Sequence, residues 1–218
     1  MAEPSAAPSP HIGSDEAGKG DYFGPLVVAA AYADELALTR LPEVGVRDSK
    51  RISSARRLWE LEKAVKQICP SFEVVLILPP RYNELHGQIR NLNRLLAWAH
   101  ARAIENVLEK QPGCRLAVTD QFGDESYLAE RLMKKGRQID LLQRVGAEDD
   151  PAVAAASVLA RAAFVRSLER LSAEVGFSLP RGATHVLPTA REVYQKGGED
   201  LLGRVAKLHF RTTKQVVG

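Results

Sequence analysis

Residues 11–32 read HIGSDEAGKGDYFGPLVVAAAY. The left half ends an apolar strand, Ile12–Glu16, on two adjacent acids, Asp15 and Glu16. The right half opens a second strand, Pro25–Ala33, whose unbroken apolar run is of the kind buried on both faces. The glycine-rich turn Gly18-Lys19-Gly20 joins the two. Neighbouring carboxylates repel each other and are costly to take out of water. A strand that delivers such a pair to its end needs positive charge there.

Working outward, Phe72–Leu78 (FEVVLIL) is a third strand, β-branched and bounded by prolines. Arg115–Asp120 (RLAVTD) is a fourth and Gln138–Gln143 a fifth. Helical spacing runs through Ser53–Ile68, Asn91–Lys110, Ser126–Lys135 and Pro151–Leu171, with shorter pieces at Ala190–Lys196 and Asp200–Ala206. In the second of these, Leu92, Leu95, Leu96, Ala99, Ala103, Val107 and Leu108 form one face. Three strands followed by strands alternating with helices predict an α/β fold with a mixed five-stranded sheet flanked by helices.

The chain has 218 residues, 45% of them apolar and 26% charged, enough for a core without disulfides. Its net charge is +3, with a pI near 8.9, compatible with a polyanionic partner. Cys69 and Cys114 stand far apart, which suits reduced thiols in a cytoplasmic protein. No stretch approaches the ~20 apolar residues of a membrane span. The opening MAEPSAAPSP reads as a disordered lead-in over residues 1–10, followed by one domain over 11–218.

Asp120 ends its strand as Asp15 and Glu16 end theirs, and acids at the mouths of neighbouring buried strands converge where α/β sheets bind ligands. A further cluster, Glu148-Asp149-Asp150, precedes the long alanine-rich helix. Each also has an ordinary reading: a turn residue for Asp120, favourable interaction with a helix dipole for the cluster. Taken together they form a set of hard oxygen donors suited to Mg²⁺ or Mn²⁺. Two such ions about 4 Å apart serve in-line phosphoryl transfer. Gly18 and Gly20 let main-chain N–H groups face a phosphate or sugar hydroxyl, although a tight hairpin turn would use the same glycines.

These motifs resemble type 2 ribonuclease H, and more closely ribonuclease HIII. The resemblance is carried by Asp15–Pro25 (DEAGKGDYFGP), Asp48-Ser49-Lys50, Tyr82–Leu85 (YNEL), Asn91-Leu92-Asn93, Leu96–His100 (LAWAH), Asp120–Gly123 (DQFG), Ala154–Ser157 with Ala160-Arg161, and Lys207–Phe210 (KLHF). It spans residues 11–213. It implies an RNase H-like fold and a monomer that cuts the RNA strand of an RNA–DNA hybrid duplex, with no membrane partner. The expected catalytic and metal-binding residues are Asp15, Glu16, Asp120 and Glu148, with Asp149 the alternative fourth acid. Substrate contacts are expected from Gly18, Lys19, Gly20, Lys50 and Ser157, the last being equally readable as a packing residue. Many HIII proteins carry an extra N-terminal substrate-binding domain, which the sequence is expected to lack.

Other residues stay open. Trp59 and Trp98 read as core, and Tyr194 as structural. His100 is core or surface, and His209 a catalytic helper or a packing residue. Arg131, Lys134, Lys135 and Arg137 form a solvated face or a phosphate track. The rival functions are an HII-like enzyme acting on single ribonucleotides in DNA, a DNA-cutting nuclease of the same broad fold, and a silent hybrid-binding module.

Overall fold

The computed structural model describes residues 9–46, 52, 54–121, 125–131 and 136–218. The strands are β1 (His11–Ala17), β2 (Leu26–Ala33), β3 (Ser71–Ile77), β4 (Leu116–Asp120) and β5 (Asp140–Arg144). They form one sheet in the order β3-β2-β1-β4-β5. β1, β2 and β3 pair antiparallel, whereas β1, β4 and β5 run parallel. This is the expected mixed sheet. The helices are α1 (Glu35–Glu43), α2 (Ala55–Ile68), α3 (Pro79–Ile89), α4 (Leu92–Lys110), α5 (Glu125–Arg131), α6 (Pro151–Val175), α7 (Leu187–Val205) and α8 (Arg211–Val217).

The sheet separates two apolar layers. In β2, Val27, Ala29, Ala31 and Ala33 face a core shared with α1, α2, α6 and α7, while Leu26, Val28 and Ala30 face one built mainly on α4. That is the two-residue period of a strand buried on both faces. The alanines on one face let α6 lie close. β1 alternates in the same way. Its odd residues meet α6: His11 Nε2 pairs with Asp150 at 3.0 Å, and Asp150 caps α6 by accepting from the amides of Ala152 and Val153. At Gly13 the approach is closest. A Cβ there would lie 2.1 Å from the Ala152 carbonyl carbon and the Val153 nitrogen.

Several elements differ from the sequence expectation. α1, α3 and α8 have no counterpart in it. α1 contains Pro42, and α3 opens on Pro79-Pro80, the prolines that bound the third strand and also stand at a helix start. α6 runs on to Gly176, whose left-handed backbone (φ 87°) ends it. α7 joins the two short predicted helices across a break at Gly197 and Gly198. By length and composition α6 could cross a membrane, contrary to the expectation that no segment could. It is instead a core helix, with 72% of its apolar window buried inside the fold.

Gly13→Ala should force strand and helix apart, because the obstructing atoms are backbone and cannot rotate away. Overpacking of this kind costs about 1–3 kcal/mol. The expected result is a lower urea midpoint with an unchanged m-value; a midpoint equal to the unaltered protein's would refute the close contact.

Candidate active site

β1 and β4 run side by side in parallel, with Ser14 opposite Thr119. Asp15 and Asp120 are each the next residue, so the two acids leave the sheet at the same level. They line a cleft of about 540 Å³ with Glu16, Ala17, Gly18, Lys19, Gly20, Asp21, Ser157, Arg161, Phe164 and Arg181.

Because side chains alternate along a strand, Asp15 and Glu16 are held from opposite layers. Asp15 is hydrogen-bonded to Ser157 of α6 and accepts from the amide of Glu16 at 2.8 Å. Glu16 is met from α4, where His100 Nε2 lies 3.3 Å from its Oε2, and Lys19 Nζ stands 3.5 Å from its Oε1. Burial, and then the charge of Glu16, push the Asp15 carboxyl up to about 6. Burial alone would raise Glu16 too, but the hydrogen bond and charge of His100, followed by Lys19, hold it below the ordinary carboxylate range.

Asp120 Oδ1 accepts from the amides of Gly146 and Ala147, at 3.1 and 3.3 Å. Those bonds fix the 3-10 turn Ala147–Asp149, which carries Glu148. The two acids of that turn and Asp150 after it separate by environment. Asp149 is exposed and pairs with Arg144 at 2.8 Å, and Asp150 caps α6. Glu148 is half-buried, with a buried Oε2, and is not among the residues that line the cleft. Among the described residues, no three His, Cys, Asp or Glu side chains are closed into a metal cage. The acids share one sheet edge without forming a completed site.

The glycines of the turn differ. Gly18 has φ 86°, and a Cβ there would meet the Pro25 carbonyl oxygen at 2.2 Å, so the fold itself requires glycine. A Cβ on Gly20 would meet nothing within 4 Å. The turn is anchored from elsewhere in the chain. Asp21 Oδ1 accepts from the Gly182 amide at 2.6 Å, and the Tyr22 amide donates back to the Gly182 carbonyl at 2.9 Å. Buried Lys207 donates through Nζ to the carbonyls of Gly24 and Pro25, at 2.7 and 3.3 Å.

The family model of Ribonuclease HII matches residues 12–213. A ribonuclease HIII of Protochlamydia amoebophila is 43% identical over 96% of this chain and 69% of its own length. The chain belongs to the type 2 ribonuclease H family, on its ribonuclease HIII side. A ribonuclease HIII of Chlamydia pneumoniae is 42% identical, over 95% of this chain and 70% of its own. Among solved structures, Bst-RNase HIII in complex with Mn²⁺ superposes with a TM-score of 0.87 at 31% identity, over 98% of this chain and 70% of that one. The fold is therefore RNase H-like, and the chain is an enzyme of a metal-dependent endoribonuclease family.

Of the residues expected to act, Asp15, Glu16, Gly18, Lys19, Gly20, Asp120 and Ser157 line one cleft. Glu148 is not among them. Lys50 lies outside the described residues, as do Asp48, Ser49, Lys134 and Lys135. His209 stacks on His86, ring centroids 4.3 Å apart, and is not among the cleft residues. Trp59 packs against the core under Arg166, while Trp98 is exposed rather than core. Tyr194 packs against the α6-side core. Sequence reasoning missed Arg181 and left His100 open. The signal for Arg181 is tertiary, since Gly182 is hydrogen-bonded to a segment about 160 residues earlier.

An unfolded aspartate titrates near 3.8 and buried Asp15 near 6. Between these values the folded chain binds more protons, so stability falls as pH rises and the full penalty remains above about 6. Asp15→Asn removes that penalty. In metal-free buffer at pH 7 it should be more stable than the unaltered protein by about 1–3 kcal/mol, with the gap closing towards pH 4. Identical thermal melts at pH 7 would contradict the burial and repulsion described.

Proposed function

We propose that this chain cleaves the RNA strand of RNA–DNA hybrids by hydrolysis with two divalent cations, Mg²⁺ or Mn²⁺, leaving 5′-phosphate and 3′-hydroxyl ends. The observation that carries the reading is the pair Asp15 and Asp120 at adjacent parallel strand ends, in a cleft whose other walls carry Lys19, Arg161 and Arg181. The donor set fits such ions. It consists of hard carboxylate oxygens, and Asp15 is raised by burial and then by the charge of Glu16, both of which a bound cation would offset. Asp15, Glu16, Asp120 and Glu148 would hold the metal. Bound there, the ions would lower the pKa of the attacking water and neutralise charge on the departing 3′ oxygen.

The chain's own residues supply the rest. Ser157 and the Glu16 amide orient Asp15, and the Gly146 and Ala147 amides orient Asp120. The open face at Gly20 gives a ribose 2′-hydroxyl access to main-chain N–H groups, the contact that separates RNA from DNA. Lys19 and Arg181 offer charge to backbone phosphates, and Lys50 takes the same role. Asp21-Tyr22-Phe23-Gly24-Pro25 and Lys207–Phe210 support an HIII-like preference for runs of ribonucleotides over a lone one.

Asp120→Asn and Asp15→Asn should each lose cleavage of a hybrid at saturating Mg²⁺ or Mn²⁺ while still binding it. A duplex with four embedded ribonucleotides should be cut much faster than one with a single ribonucleotide. Near-normal turnover in either variant would remove the acid assignment, and equal rates on the two duplexes would move the activity to the HII kind. Cleavage of all-DNA duplex alone would replace the substrate.

Arg181→Ala tests the phosphate contact separately. It should raise KM with kcat little changed, and lower the log–log salt slope of hybrid binding by roughly 0.9 for the one phosphate released. An unchanged slope would take Arg181 out of the interface.

A further inference from the structure

The buried histidine on α4 has no part in the reaction as described. We propose that His100 is a positioning residue: with Ser14, it fixes the carboxylate of Glu16 in the orientation that the divalent cation requires. This inference rests on the reading of Glu16 as a metal ligand.

Ser14 and Glu16 are two residues apart on β1 and face the same layer. His100 projects from α4 between them. Its Nδ1 is 3.0 Å from Ser14 Oγ and its Nε2 is 3.3 Å from Glu16 Oε2. The Ser14 and His100 side chains are completely buried, whereas that of Glu16 is 13% exposed at the cleft. The chain of bonds has a direction. In its neutral form the ring accepts from the Ser14 hydroxyl at Nδ1 and keeps its proton on Nε2, aimed at Glu16, and in its charged form it presents the same Nε2–H. Glu16 thus has one oxygen tied to the protein interior. The other faces Lys19, whose flexible stem can yield to a competing cation.

The arrangement matters because Glu16 has three side-chain torsions, and an untethered carboxylate beside charged Asp15 would turn away from it. An outer partner that holds a ligand's geometry typically contributes 10–100-fold in metal affinity. His100 is fully buried behind Glu16 and is not one of the residues lining the cleft. Its effect must therefore pass through Glu16.

The test combines Mn²⁺ titration calorimetry of the full chain with kcat and KM on a hybrid. His100→Ala and His100→Asn should weaken Mn²⁺ binding by roughly 10–100-fold and lower kcat at fixed Mn²⁺, with KM for the hybrid within about twofold. His100→Gln carries its amide N–H near the position of Nε2 and should restore most of both. Ser14→Ala keeps the imidazole but frees its tautomer, so it should show a smaller loss of Mn²⁺ affinity; it also serves if His100→Ala does not fold. Wild-type Mn²⁺ affinity in folded His100→Ala or in Ser14→Ala overturns the proposal. Equal losses in the Gln and Ala variants overturn it as well, since a purely structural histidine would behave so. Glu16→Gln is measured alongside. If it keeps Mn²⁺ affinity and cleavage, the metal-ligand reading of Glu16 fails and the positioning role falls with it. If it loses both while the His100 variants are normal, only the positioning role is refuted.

Discussion

The contact of β1 with the start of α6 governs the rest of the molecule. A strand and a helix approach this closely only where one side chain is missing, and Gly13 supplies the gap against the Ala152–Val153 peptide. Three consecutive odd positions of β1 then do different work along one seam. His11 meets the helix cap at Asp150, Gly13 meets backbone, and Asp15 meets Ser157. The cap ends the segment that carries Glu148, and that segment is tied in turn to Asp120. One strand–helix packing distance therefore sets the separation of acids drawn from β1, β4 and the turn before α6. The alanines at 154, 155 and 156 and at 29, 31 and 33 extend the same close fit across β2.

The even positions of β1 obey a second constraint. Adjacent acids on a strand cannot share one anchor, because their side chains leave on opposite faces. The fold resolves this by giving each layer one acid to hold, α6 for Asp15 and α4 for Glu16. The resulting site is electrostatically unequal. Glu16 has a histidine and a lysine within reach and stays ionised, while Asp15 is buried against its neighbour's charge and is driven up to about 6. A folded protein that keeps such a residue gives up stability at neutral pH, and the stored repulsion makes the cleft an acceptor for positive charge. Perturbation of this kind is concentrated where function resides.

What could be read from the sequence follows from the range of each interaction. Residues 11–32 announce a hairpin by their apolar runs and central glycines, and the long helices announce themselves by period. The strand-end position of Asp15 and Asp120 was legible for the same reason: it depends on local pattern and on the rule that ligands gather at strand mouths. Helices α1 and α3 were hidden by prolines, whose meaning depends on whether they stand at a helix start or break one. How the three acids of Glu148-Asp149-Asp150 differ in environment could not be read locally, because it depends on His11 claiming Asp150 and Arg144 claiming Asp149. His100 and Arg181 were unreadable on similar grounds. Each acquires its place from a strand or turn far away in sequence.

The same long-range logic explains why the tail of the chain bears on a turn near its start. The Gly18–Pro25 connection carries Gly18 at positive φ and spans two buried strands, so its unpaired amides and carbonyls need partners that β1 and β2 cannot provide. Residues 205–207 supply them: Gly24 donates to Val205, Lys207 donates to Tyr22 through its backbone, and its ammonium reaches the carbonyls of Gly24 and Pro25. Burial drives that ammonium down to about 7, with only the charge of Asp21 opposing the shift. An apolar side chain of the same length would avoid that cost but could not donate to the two carbonyls. Lysine at 207 is therefore best explained by the turn it holds, which links the KLHF segment to the glycine turn beside the acids through two carbonyl oxygens and one buried nitrogen.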